Sequence, residues 1–323
     1  MHSVLLIISG LVLFLYALNT LSEGLSHIAG DKLKSFLDRF TSNAFKGIIC
    51  GLIVTILLDS SSVVIIMTIA LVNTKAMTFR QAMGVVMGAN IGTTISSQIF
   101  ALNIGEYAAL PILAGFIMMF VIKNPFYKNL GRVVFSFGLI FFGLYTMEEA
   151  VEPLKNSDYF VSWLQSLENT WKGMFTGAFV TLIIQSSSAT VGMVIGLASK
   201  GLISITAGIA VMLGSELGTC ADTLVASIGR TRAAIKTGLF HLIFNVVTIT
   251  LGMILLPYFT QLVMTISLNA SPQQTIANSH MLFNGLGVVT MIPFLGAYEK
   301  LLNFIVPDKK PNVQEREMEV VKN

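Results

Sequence analysis

Two short polar runs interrupt long apolar stretches of this chain: DSSS at 59–62 and QSSS at 185–188. Serine competes for backbone hydrogen bonds and favours caps and turns over helix interiors, so each run is expected to break a helix. A serine there can cap the half-helix that follows. The free N–H groups at that half-helix start, with the positive end of its dipole, make an anion site. Six hydroxyls, Ser60, Ser61, Ser62, Ser186, Ser187 and Ser188, with two sets of N–H donors suit a tetrahedral oxyanion. Two further runs follow, GANIGTT at 88–94 and GSELGTC at 214–220. Their glycines either permit close helix packing or let the helix unwind. Their hydroxyl, amide and carboxylate oxygens suit a small hard cation. Three carboxylates, Asp59, Glu216 and Asp222, fall deepest in apolar sequence, where charge is costly and marks function. They can equally pair with neighbouring donors in a polar crevice. His241 with Asn245 and His280 with Asn284 repeat a His-x-x-Phe-Asn pattern. Each pair shares one helix face, suited to cross-linking helices or touching a site, with packing alone the expected role. No Cys/His spacing suggests a transition-metal site, and Cys50 and Cys220, both in apolar stretches, imply no disulfide framework.

The elements that must position these residues are membrane helices. Hydrophobic residues make up 54% of the 323-residue chain and charged residues 11%, where a soluble domain carries roughly 25% charge. A span needs about 20 apolar residues to cross about 30 Å of hydrocarbon. Apolar stretches at 3–22, 79–102, 107–122, 131–150, 204–228, 232–258 and 276–298 read as spans. The runs at 44–73 and 173–199 hold the serines at their centres. The first stretch is longer than a signal-peptide core and has no preceding Lys or Arg, so it reads as a retained span. The expected fold is an all-α integral membrane protein with about seven full spans plus two serine-tipped hairpins. Two linkers look amphipathic and are expected at the membrane interface, with packing on the protein's own loops as the alternative: 31–41 through Leu33, Phe36, Leu37 and Phe40, and 157–168 through Phe160, Trp163, Leu164 and Leu167. The tail at 307–323 is polar and reads as solvated.

Sliding the chain by 126 residues aligns Lys46–Thr93 with Lys172–Thr219 without a gap, at 15 identities in 48 positions. Both triple serines and both Gly-x-x-x-Gly-Thr runs fall in register. If each serine run crosses the membrane once, the copies are parallel; if each is a re-entrant hairpin, they are inverted. Basic residues mark the cytoplasmic side. The re-entrant reading puts 17 of the 20 Lys and Arg on one side. It places the N-terminus outside and the C-terminus in the cytoplasm. The organisation expected is a first repeat at 1–130, a second at 131–258, a final span at 276–298 and a cytoplasmic tail at 307–323. Inverted repeats whose broken helices meet at the midplane are the design of secondary transporters.

With these motifs the chain resembles the sodium–phosphate cotransporter type II family and its bacterial members, from the first span to about residue 298. The resemblance rests on the paired DSSS and QSSS hairpins, on GANIGTT with its partner GSELGTC, and on the His-x-x-Phe-Asn helices. It implies sodium-driven symport of inorganic phosphate at a site formed by the two hairpins and adjacent unwound, discontinuous helices. It implies substrate contacts at Ser60, Ser61, Ser62, Gln185, Ser186, Ser187 and Ser188, with Asn90, Thr93, Thr94 and Thr219 as neighbouring ligands. The chain departs from the family at Asp59, where glutamine is usual, at Glu216, where asparagine is usual, and at Cys220 and Asp222. Negative charge beside a phosphate site repels the dianion. These carboxylates therefore bind the coupling cation, or are protonated for proton coupling, or serve a different substrate. Sodium at Asp59, Glu216 and Asp222 with phosphate retained is the leading expectation. Competing functions are an exporter of the same fold, an intramembrane enzyme with a serine nucleophile and His241 or His280 as base, and a channel. No cofactor is expected beyond the coupling ion. The expected setting is the bacterial inner membrane, with a homodimer left open. A net charge of +3 is too small to suggest a nucleic-acid partner.

Overall fold

The computed structural model describes residues 2–29, 41, 43–102 and 104–307. The expected interfacial helix at 31–41 and the tail at 307–323 lie outside them, apart from Thr41 and Pro307. The described residues form helices joined by short turns. In order these are α1 (His2–Ala29), α2 (Ala44–Leu58), α3 (Ser61–Asn73), α4 (Phe79–Phe100), α5 (Ala109–Val121), α6 (Pro125–Val151), α7 (Asp158–Ser166), α8 (Thr170–Ile184), α9 (Ser187–Ser199), α10 (Ile205–Gly218), α11 (Cys220–Ser227), α12 (Arg232–Ile254), α13 (Leu256–Ile266), α14 (Pro272–Met291) and α15 (Leu295–Ile305).

Five segments are long and apolar enough to cross a membrane: His2–Ile28, Pro125–Asn156, Ile205–Ser227, Arg232–Ile254 and Pro272–Ile305. A sixth is reached if Phe79–Phe100 and Gly105–Val121, bent by 77°, count as one. Seven full spans were expected. The difference lies at 79–102 and 107–122, where α5 has 13 residues, about 20 Å at 1.5 Å per residue and short of the hydrocarbon thickness. Large apolar side chains such as Ile8, Phe120, Phe179, Ile183 and Phe304 are exposed on the outer faces, as lipid-facing positions would be.

The repeat reappears in backbone detail. Asn43 caps α2 and Asn169 caps α8, each accepting from the N–H three residues on. Both helices end on a left-handed residue, Asp59 at φ 51°, ψ 32° and Gln185 at φ 53°, ψ 32°. The next residue turns extended in both, and Ser60 and Ser186 cap α3 and α9. The helix break expected at each serine run is therefore present.

Glycines set the packing inside each half. A Cβ on Gly88 would come within 1.9 Å of the Ile48 carbonyl oxygen, and one on Gly92 within 2.6 Å of the Thr55 side chain. In the second half, Gly214 would meet the Met174 oxygen at 1.8 Å and Gly218 the Ala178 oxygen at 2.5 Å. Backbone thus touches backbone, and α2 runs alongside α4 in the same direction, as α8 does with α10. α3 must then return the chain to the level at which α2 began, and α9 does the same after α8. These contacts decide what the glycines are for. α4 runs unbroken through GANIGTT from Phe79 to Phe100, so the unwinding expected there is absent. In the second half the helix is interrupted only at Thr219, between α10 and α11.

α12 and α14 knit the halves together. α14 is antiparallel to α4, with Gln98 beside Gln274 and Ser97 beside His280, while Arg80 reaches Glu299 on α15. It is parallel to α10, with Ile276 against Gly208 and His280 against Glu216. α12 runs with α4, Phe79 meeting Phe240 and Asn90 meeting Asn245. It runs against α10 and α11, Leu213 meeting Gly252 and Ser227 meeting Gly238. One apolar core gathers on α9 and α10 with parts of α1 and α6, a second on α2, α3 and α4 with α12 and α15. In the 157–168 linker, Leu164 and Leu167 are buried and Phe160 packs against the first core, so this part of the stripe faces the protein, while Trp163 is exposed.

Candidate functional site

At the first tip, Ser60 Oγ accepts from the Val63 N–H at 3.3 Å. At the second, Ser186 Oγ accepts from the Ala189 N–H at 3.1 Å. Ser61, Ser187 and Ser188 are buried just beyond the breaks, Ser62 is partly buried, and Gln185 is exposed. A serine N-cap contributes about 1 kcal/mol to its helix. The amides of the first turn of α3 and α9 keep unpaired N–H groups, as every helix start does. Each tip is thus a short fan of donors set in the body of a helical bundle.

The three carboxylates lie apart, each with its own partner. Asp59 accepts from the Ser96 hydroxyl, at the edge of a cavity of about 180 Å³ lined also by Gly92, Ile95 and Phe137. Asp222 accepts from the Thr223 N–H at 2.6 Å and lies beside Ser62 of the first hairpin, across the halves. Glu216 is 4% exposed, and its Oε1 lies 2.8 Å from His280 Nε2. The crevice alternative stands beside the cation one, because every carboxylate has found a protein donor.

The neighbouring ligands expected on α4 and α10 are also occupied. Thr93 donates to the Ala89 carbonyl, Thr94 to the Ile91 carbonyl and Thr219 to the Ser215 carbonyl. Asn90 donates to Asn245 Oδ1 at 2.7 Å, and Asn245 donates on to the Glu216 carbonyl at 2.9 Å. The His-x-x-Phe-Asn helices therefore cross-link the halves rather than only packing. His280 Nδ1 lies 2.6 Å from Ser97 Oγ, and His241 Nδ1 lies 2.8 Å from Thr223 Oγ1.

Ser96 and Ser97 were not singled out in the sequence. A signal existed: the repeat offset carries positions 96 and 97 onto Asp222 and Thr223, so a hydroxyl stands at both 97 and 223, each on a repeated histidine.

A profile of the Na+/Pi-cotransporter family matches residues 13–149 and 151–291. The chain belongs to the Na+/Pi-cotransporter family. The first matched segment holds Asp59–Ser62 and the second holds Gln185–Ser188, Glu216 and His280. YqeW of Bacillus subtilis (strain 168) is 27% identical over 309 residues, covering 95% of this chain and 99% of that one. YjbB of Escherichia coli (strain K12), named for inorganic phosphate export, is 24% identical over 311 residues, covering 96% of this chain and 57% of its own. The chain thus spans little more than half of YjbB. The human sodium-dependent phosphate transport protein 2B is 33% identical over 100 residues, 30% of this chain and 14% of its own. No solved structure matches. The Na+/Pi-cotransporter family is one of phosphate transporters and not of enzymes, which removes the serine-hydrolase alternative.

Proposed function

We propose that this chain moves inorganic phosphate across the bacterial inner membrane by sodium-coupled alternating access. The observation that carries the reading is the pair of matched helix breaks: a left-handed corner, then a capping serine, with the same dihedral angles at Asp59–Ser60 and Gln185–Ser186. Broken helices with donor-rich starts are how secondary transporters hold small anions within the bilayer. In this reading phosphate lies between the tips, held by Ser60–Ser62, Ser186–Ser188 and the first amides of α3 and α9. Gln185, at the corner of the second tip, adds its amide to these contacts. Sodium sits at Asp59 with Ser96, and at Asp222 beside Ser62, where an added positive charge offsets the repulsion between carboxylate and phosphate.

Two observations support an inverted, re-entrant arrangement. α14 and α12 each run parallel to one of α4 and α10 and antiparallel to the other. α3 and α9 each return the chain to its starting level. The basic residues then fall largely on one side, with the N-terminus outside and the C-terminus in the cytoplasm. Repeats at 1–130 and 131–258 with a closing span fit the same scheme. The relative named for phosphate export supports a carrier that runs in either direction according to its gradients.

Uptake of labelled phosphate into proteoliposomes tests the reading. An inward sodium gradient is expected to drive accumulation, and dissipating it is expected to abolish accumulation. Absence of phosphate flux in either direction under any cation gradient would overturn it.

A further inference from the structure

Of Asp59, Asp222 and Glu216, Glu216 is the most deeply enclosed and the one whose partner is itself basic. His280 is 0% exposed. Its Nε2 faces Glu216 Oε1 at 2.8 Å while Nδ1 rests on Ser97 at 2.6 Å. The ring is therefore pinned at both nitrogens, by α4 on one side and α10 on the other. Among the described residues, His280 is the one basic group in ion-pair contact with Glu216. On α12, His241 is engaged with Thr223 and Cys220, and Lys236 with Asn303. Asp222 on α11 faces Ser62.

The repeat supplies a comparison within the molecule. The offset carries Glu216 onto Asn90, and Asn90 is met by the neutral amide of Asn245. Where the first half has amide on amide, the second has acid on imidazole. A buried carboxylate without a compensating charge is strongly disfavoured, and an imidazole that holds a proton supplies that charge. A sodium ion approaching Oε1 along the line that Nε2 already fills would have to compete with the ring.

We propose that His280 takes the place of a bound cation on Glu216. The pair is a built-in substitute for an ion, and Glu216 is not a sodium ligand. The proposal rests on the sodium-coupled reading above only for its significance: it leaves the hairpin-linked carboxylates, Asp59 and Asp222, to take the coupling ion.

The test uses the purified full chain in detergent. Thermal stability is followed as NaCl replaces choline chloride at constant ionic strength, for wild type, Glu216→Gln, His280→Gln and the double variant. Glu216→Gln is expected to keep the wild-type sodium midpoint within about twofold. His280→Gln, which uncovers the carboxylate, is expected to gain a new sodium response, with the midpoint lowered about tenfold, the scale of one charged contact. The double variant is expected to lose that gain. His280→Lys, which keeps a fixed positive charge, is expected to behave as wild type and serves as the reference should His280→Gln fail to fold. A tenfold weaker sodium response in Glu216→Gln, or a loss of response in both His280→Lys and His280→Gln, would overturn the proposal. A wild type without any sodium response, beside a His280→Gln variant that acquires one through Glu216, would instead refute the sodium-coupled reading and uphold the pair.

Discussion

Asp59 and Gln185 occupy the same left-handed corner of two hairpin tips, and only one of them is ionisable. For a residue with a Cβ that corner costs roughly 1–2 kcal/mol, so its presence twice argues that the break itself is required. Asp59→Gln makes the tips alike. Phosphate transport is expected to persist, while the sodium concentration for half-maximal uptake rises about tenfold, the worth of one charged hydrogen-bonding contact. Uptake at graded sodium measures it, and an unchanged half-saturation would remove Asp59 from the cation site. At this scale the sequence was readable where residue types cluster. Three serines in an apolar run imply a break, and Ser60 and Ser186 do cap their helices. Their partners were not readable, because a lone serine such as Ser96 or Ser97 in a helix has many places to put its hydroxyl. Thr55 shows the same limit. Its counterpart Thr181 pairs with Thr190 at 2.7 Å, but position 64 holds valine, and the Thr55 hydroxyl is left without a partner.

Helix pairs, rather than single helices, are the structural elements of this molecule. α2 lies on α4 and α8 on α10 through glycines whose missing Cβ leaves room for a facing carbonyl. Gly214→Val places a branched side chain where the Met174 oxygen already lies. Overpacking of this kind costs about 1–3 kcal/mol or more, so the variant is expected to melt well below wild type. Thermal unfolding in detergent checks it, and a melting temperature equal to wild type would show that the helices separate at no cost. The doubled glycines were visible in the sequence, but not their use. Close packing and unwinding need the same residue, and only the facing helix decides between them. The span count differed for a related reason: hydropathy counts apolar runs and does not register that α5 has only 13 residues.

At the scale of the whole molecule, the repeat was legible as 15 identities in 48 positions, whereas its orientation is a proposal drawn from the distribution of Lys and Arg. The proposed inversion would place the turn after α3 and the turn after α9 on opposite sides. In a single-cysteine background, Lys75→Cys is therefore expected to react with an impermeant maleimide only from the cytoplasmic side, and Lys200→Cys only from outside. Labelling of both from one side would rule the inverted arrangement out. A last consequence follows from the way each tip joins two helices end to end. The carbonyls that close α2 and α8 carry the negative ends of two dipoles, and the amides that open α3 and α9 carry the positive ends. One peptide corner therefore offers a seat to each sign of charge, a few ångströms apart. In the proposed sodium-coupled reading, the cargo such a corner would favour is neither ion alone but a contact salt, carried across the low-dielectric layer with most of its charge already cancelled.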